Sequence, residues 1–191
     1  MQNDKREIFG GKNIVLGVCS SIAVYKAAEL ASALTRAGAN VVAVMTANAQ
    51  KLISPRIFQT LTRNKVYCSM WEQIDGWKPE HISLAESADL LLVAPATANT
   101  IGNFANALAP DMLSSLYLAT AKPVLIAPAM NSQMYANKGV QRNIERLKSD
   151  GAFFVEPDEG RLACGTVGKG RLAEIDKIIE AAAEILKGEL A

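Results

Sequence analysis

Residues 161–171, RLACGTVGKGR, combine one cysteine, Cys164, with three glycines and with arginines at both ends. A glycine-rich loop typically binds phosphate when it follows the first strand of a nucleotide-binding unit. This segment instead lies near the C-terminus, directly before the last predicted helix. Two interpretations are therefore open: a nucleotide loop, or a mobile flap that carries a reactive thiol.

Three further polar stretches follow predicted strands and begin predicted helices. They are Ser20, Ser21 and Ile22 in SSIAVYK, Thr46, Ala47 and Asn48 in TAN, and Thr97, Ala98, Asn99 and Thr100 in PATANT. Hydroxyl groups and free backbone N–H groups at a helix N-terminus bind phosphate well. Each stretch alone is also explained by simple helix capping. Together, at one sheet edge, they favour an anionic, phosphate-bearing cofactor.

Two other residues have types suited to substrate chemistry. Asn131, in PAMNSQMY, is either a helix cap or an amide that holds a substrate carboxylate without titrating. His81, the only histidine, is either a surface or capping residue or a general base. Cys19, which precedes the two serines, is either a small buried apolar residue or a redox-active neighbour of a cofactor.

The elements that must position these residues alternate along the chain. Apolar runs predict strands at 13–19, 40–45, 89–96, 123–130 and 152–157. Helical patterns fill 20–38, a segment starting at Ser54–Pro55, 99–120 in two pieces split at Pro110, 132–150 and 174–188. Such alternation predicts a parallel sheet covered by helices on both faces, with ligands at the carboxyl ends of its strands. We expect one domain over 1–191, with a flexible tail over 1–11.

The composition excludes several classes of function. Of 191 residues, 50% are hydrophobic and the formal net charge is +1, so nothing indicates nucleic acid or an anionic membrane as a partner. No apolar run is long enough to span a bilayer, and the N-terminus lacks a signal peptide's apolar region. Three scattered cysteines and one histidine predict neither a disulfide framework nor a metal site. We therefore expect a cytoplasmic protein.

Five stretches of the sequence resemble, in the same order, the motifs of the homo-oligomeric flavin-containing cysteine decarboxylases. They are SSIAVYK, HISL, PATANT, PAMNSQMY and RLACGTVGKGR. The resemblance covers about residues 12–175. It implies a flavodoxin-like, Rossmann-like three-layer sandwich with a central parallel sheet. It also implies FMN bound at a subunit interface, in a homotrimer or an assembly of trimers.

The same resemblance implies roles for individual residues. His81 matches the catalytic histidine, Cys164 the cysteine of a flap that covers the substrate, and Asn131 the residue that binds the substrate carboxylate. Arg161 and Ala163 lie beside that cysteine in the substrate-binding set. The implied FMN contacts are Ser20, Ser21, Ile22, Thr46, Ala47, Asn48, Thr97, Ala98, Asn99, Thr100 and Ala129.

The implied activity is that of a carboxy-lyase of coenzyme A biosynthesis. It converts 4′-phosphopantothenoylcysteine to 4′-phosphopantetheine and CO₂ by transient oxidation of the cysteine thiol to a thioaldehyde. Arg161, Lys169 and Arg171 either lower the pKa of Cys164 or bind the substrate phosphate. Alternatives are an enzyme of this fold acting on a peptide's C-terminal cysteine or transferring a prenyl group to flavin, and a flavin-binding electron-transfer or regulatory protein.

Two departures from the family pattern accompany the resemblance. Ser20 and Ser21 stand where relatives often carry glycine, and Tyr135 replaces a common tryptophan. Many bacterial relatives continue into a ligase domain. Because this chain ends one helix after the flap motif, we expect no ligase activity.

Overall fold

A five-stranded parallel sheet forms the centre of the computed structural model, which describes residues 2–71, 77–161, 165 and 167–189. The strands are β1 Asn13–Val18, β2 Asn40–Met45, β3 Leu90–Ala96, β4 Val124–Pro128 and β5 Phe153–Phe154. Their order is β2-β1-β3-β4-β5, and every pairing is parallel. This is the flavodoxin-like order. It confirms the predicted fold class.

Helices cover both faces of the sheet and make three layers. The described helices are α1 Gln2–Phe9, α2 Val24–Arg36, α3 Pro55–Thr62, α4 Glu80–Ser87, α5 Ala98–Ala105, α6 Met112–Ala119, α7 Ser132–Ala136, α8 Lys138–Ser149 and α9 Ile175–Lys187. One apolar cluster joins α1, α2, α3 and α9 to one face, and a second joins α4 to α8 to the other. Because both faces are covered, every residue of β3 is buried and the strand shows no polar alternation.

Local signals in the sequence explain where several helices begin. The Ser54 hydroxyl accepts a hydrogen bond from the Arg56 N–H, and Pro55 occupies the first position of α3. The segment 99–120 forms two helices as predicted, and a capping box at Asp111 starts the second. The predicted helix over 132–150 is also two helices, because the Asn137 side chain accepts from the Gly139 N–H and starts α8 anew.

The N-terminal residues differ from the predicted flexible tail over 1–11. Residues 2–9 form helix α1, which packs against α9, and Phe9 is fully buried in the core. The Gly11 N–H donates to the carbonyl of Gly38, which ties the end of this segment to the turn after α2. The segment is therefore anchored by Phe9, because burial of this aromatic side chain holds the otherwise polar stretch against the core.

A two-stranded antiparallel hairpin, which the sequence did not predict, follows β5. Its strands are β6 Asp158–Arg161 and β7 Val167–Arg171, and we call it the hairpin arm. The expected strand over 152–157 is reduced to the two residues of β5. The arm is rich in glycine and charge and has little β-branched content, so propensity gives no strand signal there.

Among the described residues, no helix has the length and apolarity needed to cross a membrane.

Candidate active site

A cavity of about 930 Å³ opens at the carboxyl ends of β1 and β3. In this strand order, β1 and β3 flank the point where the chain reverses its direction of winding, and ligands of such sheets bind there. Four segments form the wall: the β1–α2 loop, the β3–α5 loop, the β4–α7 loop and the hairpin arm. The described lining residues are Ser20, Ser21, Ile22, Ala23, Tyr25, Lys26, Thr97, Ala98, Asn99, Ala129, Met130, Asn131, Met134, Arg161, Gly170, Arg171 and Leu172.

The β1–α2 loop presents hydrogen-bond donors at the start of α2. The Ser21 hydroxyl accepts from the Ala23 N–H at 3.3 Å, and the Ser21 carbonyl accepts from Val24 at 2.9 Å. Within the described part of the chain, the N–H groups of Ser20 and Ile22 have no hydrogen-bond acceptor. Donors without partners beside a helix N-terminus suit an anion such as a phosphate.

The β3–α5 loop brings Thr97 to the cavity but turns Thr100 away from it. Thr97 caps α5 by accepting from the Thr100 N–H at 3.3 Å. The Thr100 hydroxyl is buried and donates to the sulfur of Cys19 at 3.2 Å. This bond links the β1–α2 loop to the β3–α5 loop, two of the segments that form the cavity wall.

The same contact describes the state of Cys19. Its side chain is 1% exposed, and burial raises its pKa to about 11, although hydrogen bonds from Thr100 and from the backbone of Thr97 oppose that rise. Cys19 is therefore a protonated, buried thiol at neutral pH. The structure favours the packing alternative over the redox alternative for this residue.

The turn after β2 lies at the same sheet edge but does not line the cavity. Thr46 accepts from the Ala49 N–H at 3.2 Å, and Asn48 accepts from the Lys51 ammonium at 2.9 Å. Ala47 and Asn48 are exposed. Of the three polar turns found in the sequence, the structure brings two together around the cavity.

Asn131 and Ala129 lie on the opposite wall, after β4. The Asn131 side-chain oxygen accepts from the Gln133 N–H at 2.8 Å and caps α7. Ala129 is buried, and its N–H donates to the Ala96 carbonyl at 2.9 Å. Asn131 therefore caps a helix and also lines the cavity, so the capping interpretation is confirmed and its role toward a substrate carboxylate stays a prediction.

The hairpin arm closes one side of the cavity. The Met130 N–H donates to the Gly170 carbonyl at 2.9 Å, which holds β7 against the residue before Asn131. Arg161, at the end of β6, and Arg171, at the end of β7, both line the cavity. Cys164 and Ala163 lie outside the described residues.

His81 is not part of the cavity wall of its own chain. It is the second residue of α4 and is partly exposed, and α4 packs against α6 in the helical layer that also contains α5 and α8. The structure therefore does not bring His81 together with Asn131 within one chain.

Lys26 is a lining residue that the sequence analysis missed. It lies one helical turn after Ile22, and this i, i+4 spacing is the signal that identifies it. Its ammonium contacts the Glu174 carboxylate at 3.2 Å, and its side chain is 13% exposed.

A charged cluster supports the base of the hairpin arm. The Glu156 carboxylate accepts from Lys169 at 2.8 Å, from the Tyr135 hydroxyl at 2.7 Å and from Lys148 at 3.3 Å. These bonds, that of Lys169 above all, lower the pKa of Glu156 to about 2 even though burial opposes them. The cluster ties β7 to α7 and α8. Tyr135 contributes through the hydroxyl that distinguishes it from the expected tryptophan.

The chain is similar to known flavoproteins. A family model described as Flavoprotein matches residues 2–187. The chain belongs to the flavoprotein family. This confirms the family resemblance found in the motifs.

Two curated relatives differ in length. The chain is 49% identical over 175 residues to the coenzyme A biosynthesis bifunctional protein CoaBC of Bacillus subtilis, covering 92% of this chain and 43% of that protein. It is 43% identical over 171 residues to the probable phosphopantothenoylcysteine decarboxylase of Streptococcus mutans, covering 88% of this chain and 96% of that one. The chain thus spans less than half of the bifunctional relative.

A solved flavoprotein has the same fold. The FMN-dependent cysteine decarboxylase SpaF superposes with a TM-score of 0.82 and is 31% identical, and the match covers 96% of this chain and 99% of that one.

Among the described residues of the present chain, no group of three or more His, Cys, Asp or Glu is arranged to hold a metal ion.

Proposed function

We propose that the cavity binds FMN. The cavity wall fits a phosphate-bearing flavin, because the N–H groups of Ser20 and Ile22 at the start of α2 offer hydrogen-bond donors to an anion. Ser21, Thr97, Ala98, Asn99 and Ala129 complete the proposed FMN contacts within this wall. Thr46, Ala47, Asn48 and Thr100 remain predicted contacts, and for Thr100 the support is indirect, through Cys19.

The activity we propose is decarboxylation of 4′-phosphopantothenoylcysteine to 4′-phosphopantetheine and CO₂. The observation that carries it is the position of Asn131. Asn131, whose amide would bind the substrate carboxylate, lines the same cavity as Ser20, Ser21 and Thr97 of the proposed phosphate-binding turns. Similarity to a probable phosphopantothenoylcysteine decarboxylase along nearly all of that protein's length supports the choice of substrate.

Loss of CO₂ from a cysteine amide needs an electron sink, because the substrate itself would be left with an unstabilised carbanion. FMN, if held by the contacts proposed above, would supply a hydride acceptor for oxidation of the thiol-bearing carbon to a thioaldehyde and a hydride donor for the reduction that follows CO₂ loss. Asn131 holds the carboxylate next to this centre through donor and acceptor atoms that do not titrate. Arg161 and Ala163 are the remaining proposed substrate contacts.

His81 acts as the general base that takes the thiol proton, in our proposal, and it does so at the cavity of a neighbouring subunit. Its place on α4, away from the cavity of its own chain, supports a site completed between subunits of a homotrimer or an assembly of trimers. Exposed apolar side chains at the cavity, Ile22 at 65%, Tyr25 at 63% and Met134 at 49%, support the same arrangement.

Cys164 is the proposed proton donor of the second half-reaction. An ordinary thiol, with a pKa near 8.5, stays mostly protonated at neutral pH and can protonate the carbon skeleton of the enethiolate. The two strands of the hairpin arm, which precede and follow Cys164 in the sequence, both border the cavity, β6 at Arg161 and β7 at Gly170.

The proposal is tested by anaerobic mixing of the FMN-loaded protein with 4′-phosphopantothenoylcysteine, while the flavin spectrum and CO₂ are followed together. We expect CO₂, 4′-phosphopantetheine and flavin that is oxidised again at the end. A flavin-loaded protein that releases CO₂ only from peptides with a C-terminal cysteine would contradict the substrate assignment.

Two variants test the residue roles. We expect His81→Asn to keep FMN and lose CO₂ release, and Cys164→Ser to release CO₂ but stop at the enethiol. Full turnover by either variant removes that residue from the proposed mechanism. Mixing FMN-loaded His81→Asn with Cys164→Ser subunits should restore some complete sites if the site is shared between chains.

A further inference from the structure

The hairpin arm and α2 together bring two cations to one carboxylate at the cavity wall. The Lys26 ammonium contacts one oxygen of Glu174 at 3.2 Å, and the Arg171 guanidinium contacts the other oxygen. Lys26 and Arg171 both line the cavity. Because they share a single carboxylate, their charged groups face each other across it.

The cavity is electropositive. Its described lining residues include three cations, Lys26, Arg161 and Arg171, and no acidic side chain. Glu174, immediately behind the wall, offsets only one of these charges. Basic side chains are thus concentrated at the cavity although the net charge of the whole chain is only +1.

Fold stability does not account for the Arg171–Glu174 pair of this cluster. Glu174 and Arg171 are about half exposed, at 50% and 43%, and ion pairs between exposed side chains contribute little to stability. The backbone explains none of it either, since Glu174 precedes α9 without capping it through its side chain. Two cations that converge on a cavity are instead the arrangement that recognises a phosphomonoester.

Resting on the proposed function, we propose that Lys26 and Arg171 form the subsite for the phosphate of the substrate, with Glu174 holding them in place until that phosphate arrives. Arg171 borders the part of the cavity wall that holds Asn131, and their shared contact with Glu174 brings Lys26 beside it. Arg171 follows Gly170, whose carbonyl is bonded to Met130, the neighbour of Asn131. The donors of Ser20 and Ile22 serve the cofactor phosphate at the start of α2, so the two phosphates have separate sites.

Lys169, the third basic residue considered from sequence, is excluded by its contacts. Its ammonium bonds Glu156 at 2.8 Å and lies over the Tyr135 ring, and it does not line the cavity. The subsite would make the enzyme prefer a phosphorylated pantothenoyl substrate over a dephosphorylated one or over a peptide.

The test compares two substrates and two ligands in the FMN-loaded protein. The kcat/KM ratio for 4′-phosphopantothenoylcysteine over pantothenoylcysteine is measured first, then the Kd of 4′-phosphopantetheine against that of pantetheine by titration calorimetry. A charge-assisted contact to phosphate corresponds to roughly a 10-fold to 100-fold effect. We expect Lys26→Met and Arg171→Met each to lower both preferences by about that factor.

Glu174→Gln provides a test of opposite sign. It removes the carboxylate that competes with the phosphate and keeps the shape of the side chain, so the preference for phosphorylated ligands should rise. Lys177→Met is the matched control. Lys177 lies on α9 near the same site and pairs with Asp158 at 2.6 Å, but it does not line the cavity. Its preference should equal that of the wild type.

Equal losses for both ligands in Lys26→Met and Arg171→Met overturn the subsite. Weaker FMN binding with an unchanged ligand preference also overturns it, because the cations would then hold the cofactor phosphate. If the wild type turns over neither substrate, the proposed function fails, and the calorimetric preference for 4′-phosphopantetheine still decides whether the subsite exists.

Discussion

Gly170→Ala should weaken the contact between the hairpin arm and Met130 in the cavity wall. Gly170 has a φ of 148°, a backbone conformation that residues with a Cβ rarely adopt. A Cβ there would lie 2.4 Å from the Met130 carbonyl oxygen, and this atom belongs to the backbone, which cannot swing aside. The substitution therefore adds a steric clash to a strained backbone, at the residue whose carbonyl bonds Met130.

Gly151→Ala is the control that isolates the clash. Gly151 also has a positive φ, 94°, but a Cβ there has no neighbour within 4 Å. Backbone strain alone should cost Gly151→Ala about 1–2 kcal/mol of unfolding free energy. Gly170→Ala adds an overpacked contact and weakens a hydrogen bond, so we expect a total of about 3–6 kcal/mol unless the arm detaches.

The assay has two readouts, because detachment of the arm would relieve the strain. Urea denaturation of the FMN-loaded protein measures the free energy of unfolding, and calorimetry measures the Kd of 4′-phosphopantetheine. If the arm stays attached, unfolding free energy falls; if it detaches, the Kd rises by roughly 10-fold or more, the equivalent of about 1.4 kcal/mol. The reasoning is refuted if Gly170→Ala matches Gly151→Ala in stability and the wild type in Kd.

Two further predictions test the charged cluster and the N-terminal helix. Because the folded pKa of Glu156 is lowered to about 2 from 4.5, its contribution to the free energy of unfolding is present above about pH 4.5 and is lost as the pH falls toward 2. The side chains of the cluster are about half exposed, so solvent screening keeps this contribution at about 1 kcal/mol or less. The unfolding free energies of wild type and Glu156→Gln should thus differ most near pH 7 and converge in acid, and a difference independent of pH contradicts the assignment. Phe9→Ala should lower the free energy of unfolding by about 3–5 kcal/mol, because it empties a fully buried site. The exposed neighbour Glu7→Ala should change it by less than about 0.5 kcal/mol. Equal effects of these two substitutions would mean that α1 is not anchored.

Much of the fold is predictable because it depends on local chemistry. Fully apolar runs predict strands covered on both faces, and β1, β3 and β4 lie where those runs occur. The apolar stripe on 174–188 became α9, whose Ile178 and Ala182 are fully buried. Ser54 and Pro55 began α3, and a positive-φ glycine, Gly38, follows α2. Each of these signals acts within a few residues of the element it defines.

Other features arise only when distant segments meet. The hairpin arm is held by a bond between Gly170 and Met130 and by the Glu156 cluster, neither of which leaves a periodic pattern in the sequence. Phe9 anchors α1 by packing in a core formed mainly by later segments, so a polar stretch around it resembled a tail.

The sequence by itself determined which residue types stand at the ends of the strands, and hence the family and the chemistry expected of it. Only the tertiary structure decided which of them face one cavity. Thr97 and Thr100 are equivalent hydroxyls in the sequence, yet Thr100 turns inward because the sulfur of Cys19, 81 residues earlier, accepts its hydrogen bond. Arg171 lies only three residues before Glu174 and meets it locally, but Lys26 reaches Glu174 from 148 residues earlier, because strand order rather than spacing along the chain sets which distant segments are neighbours.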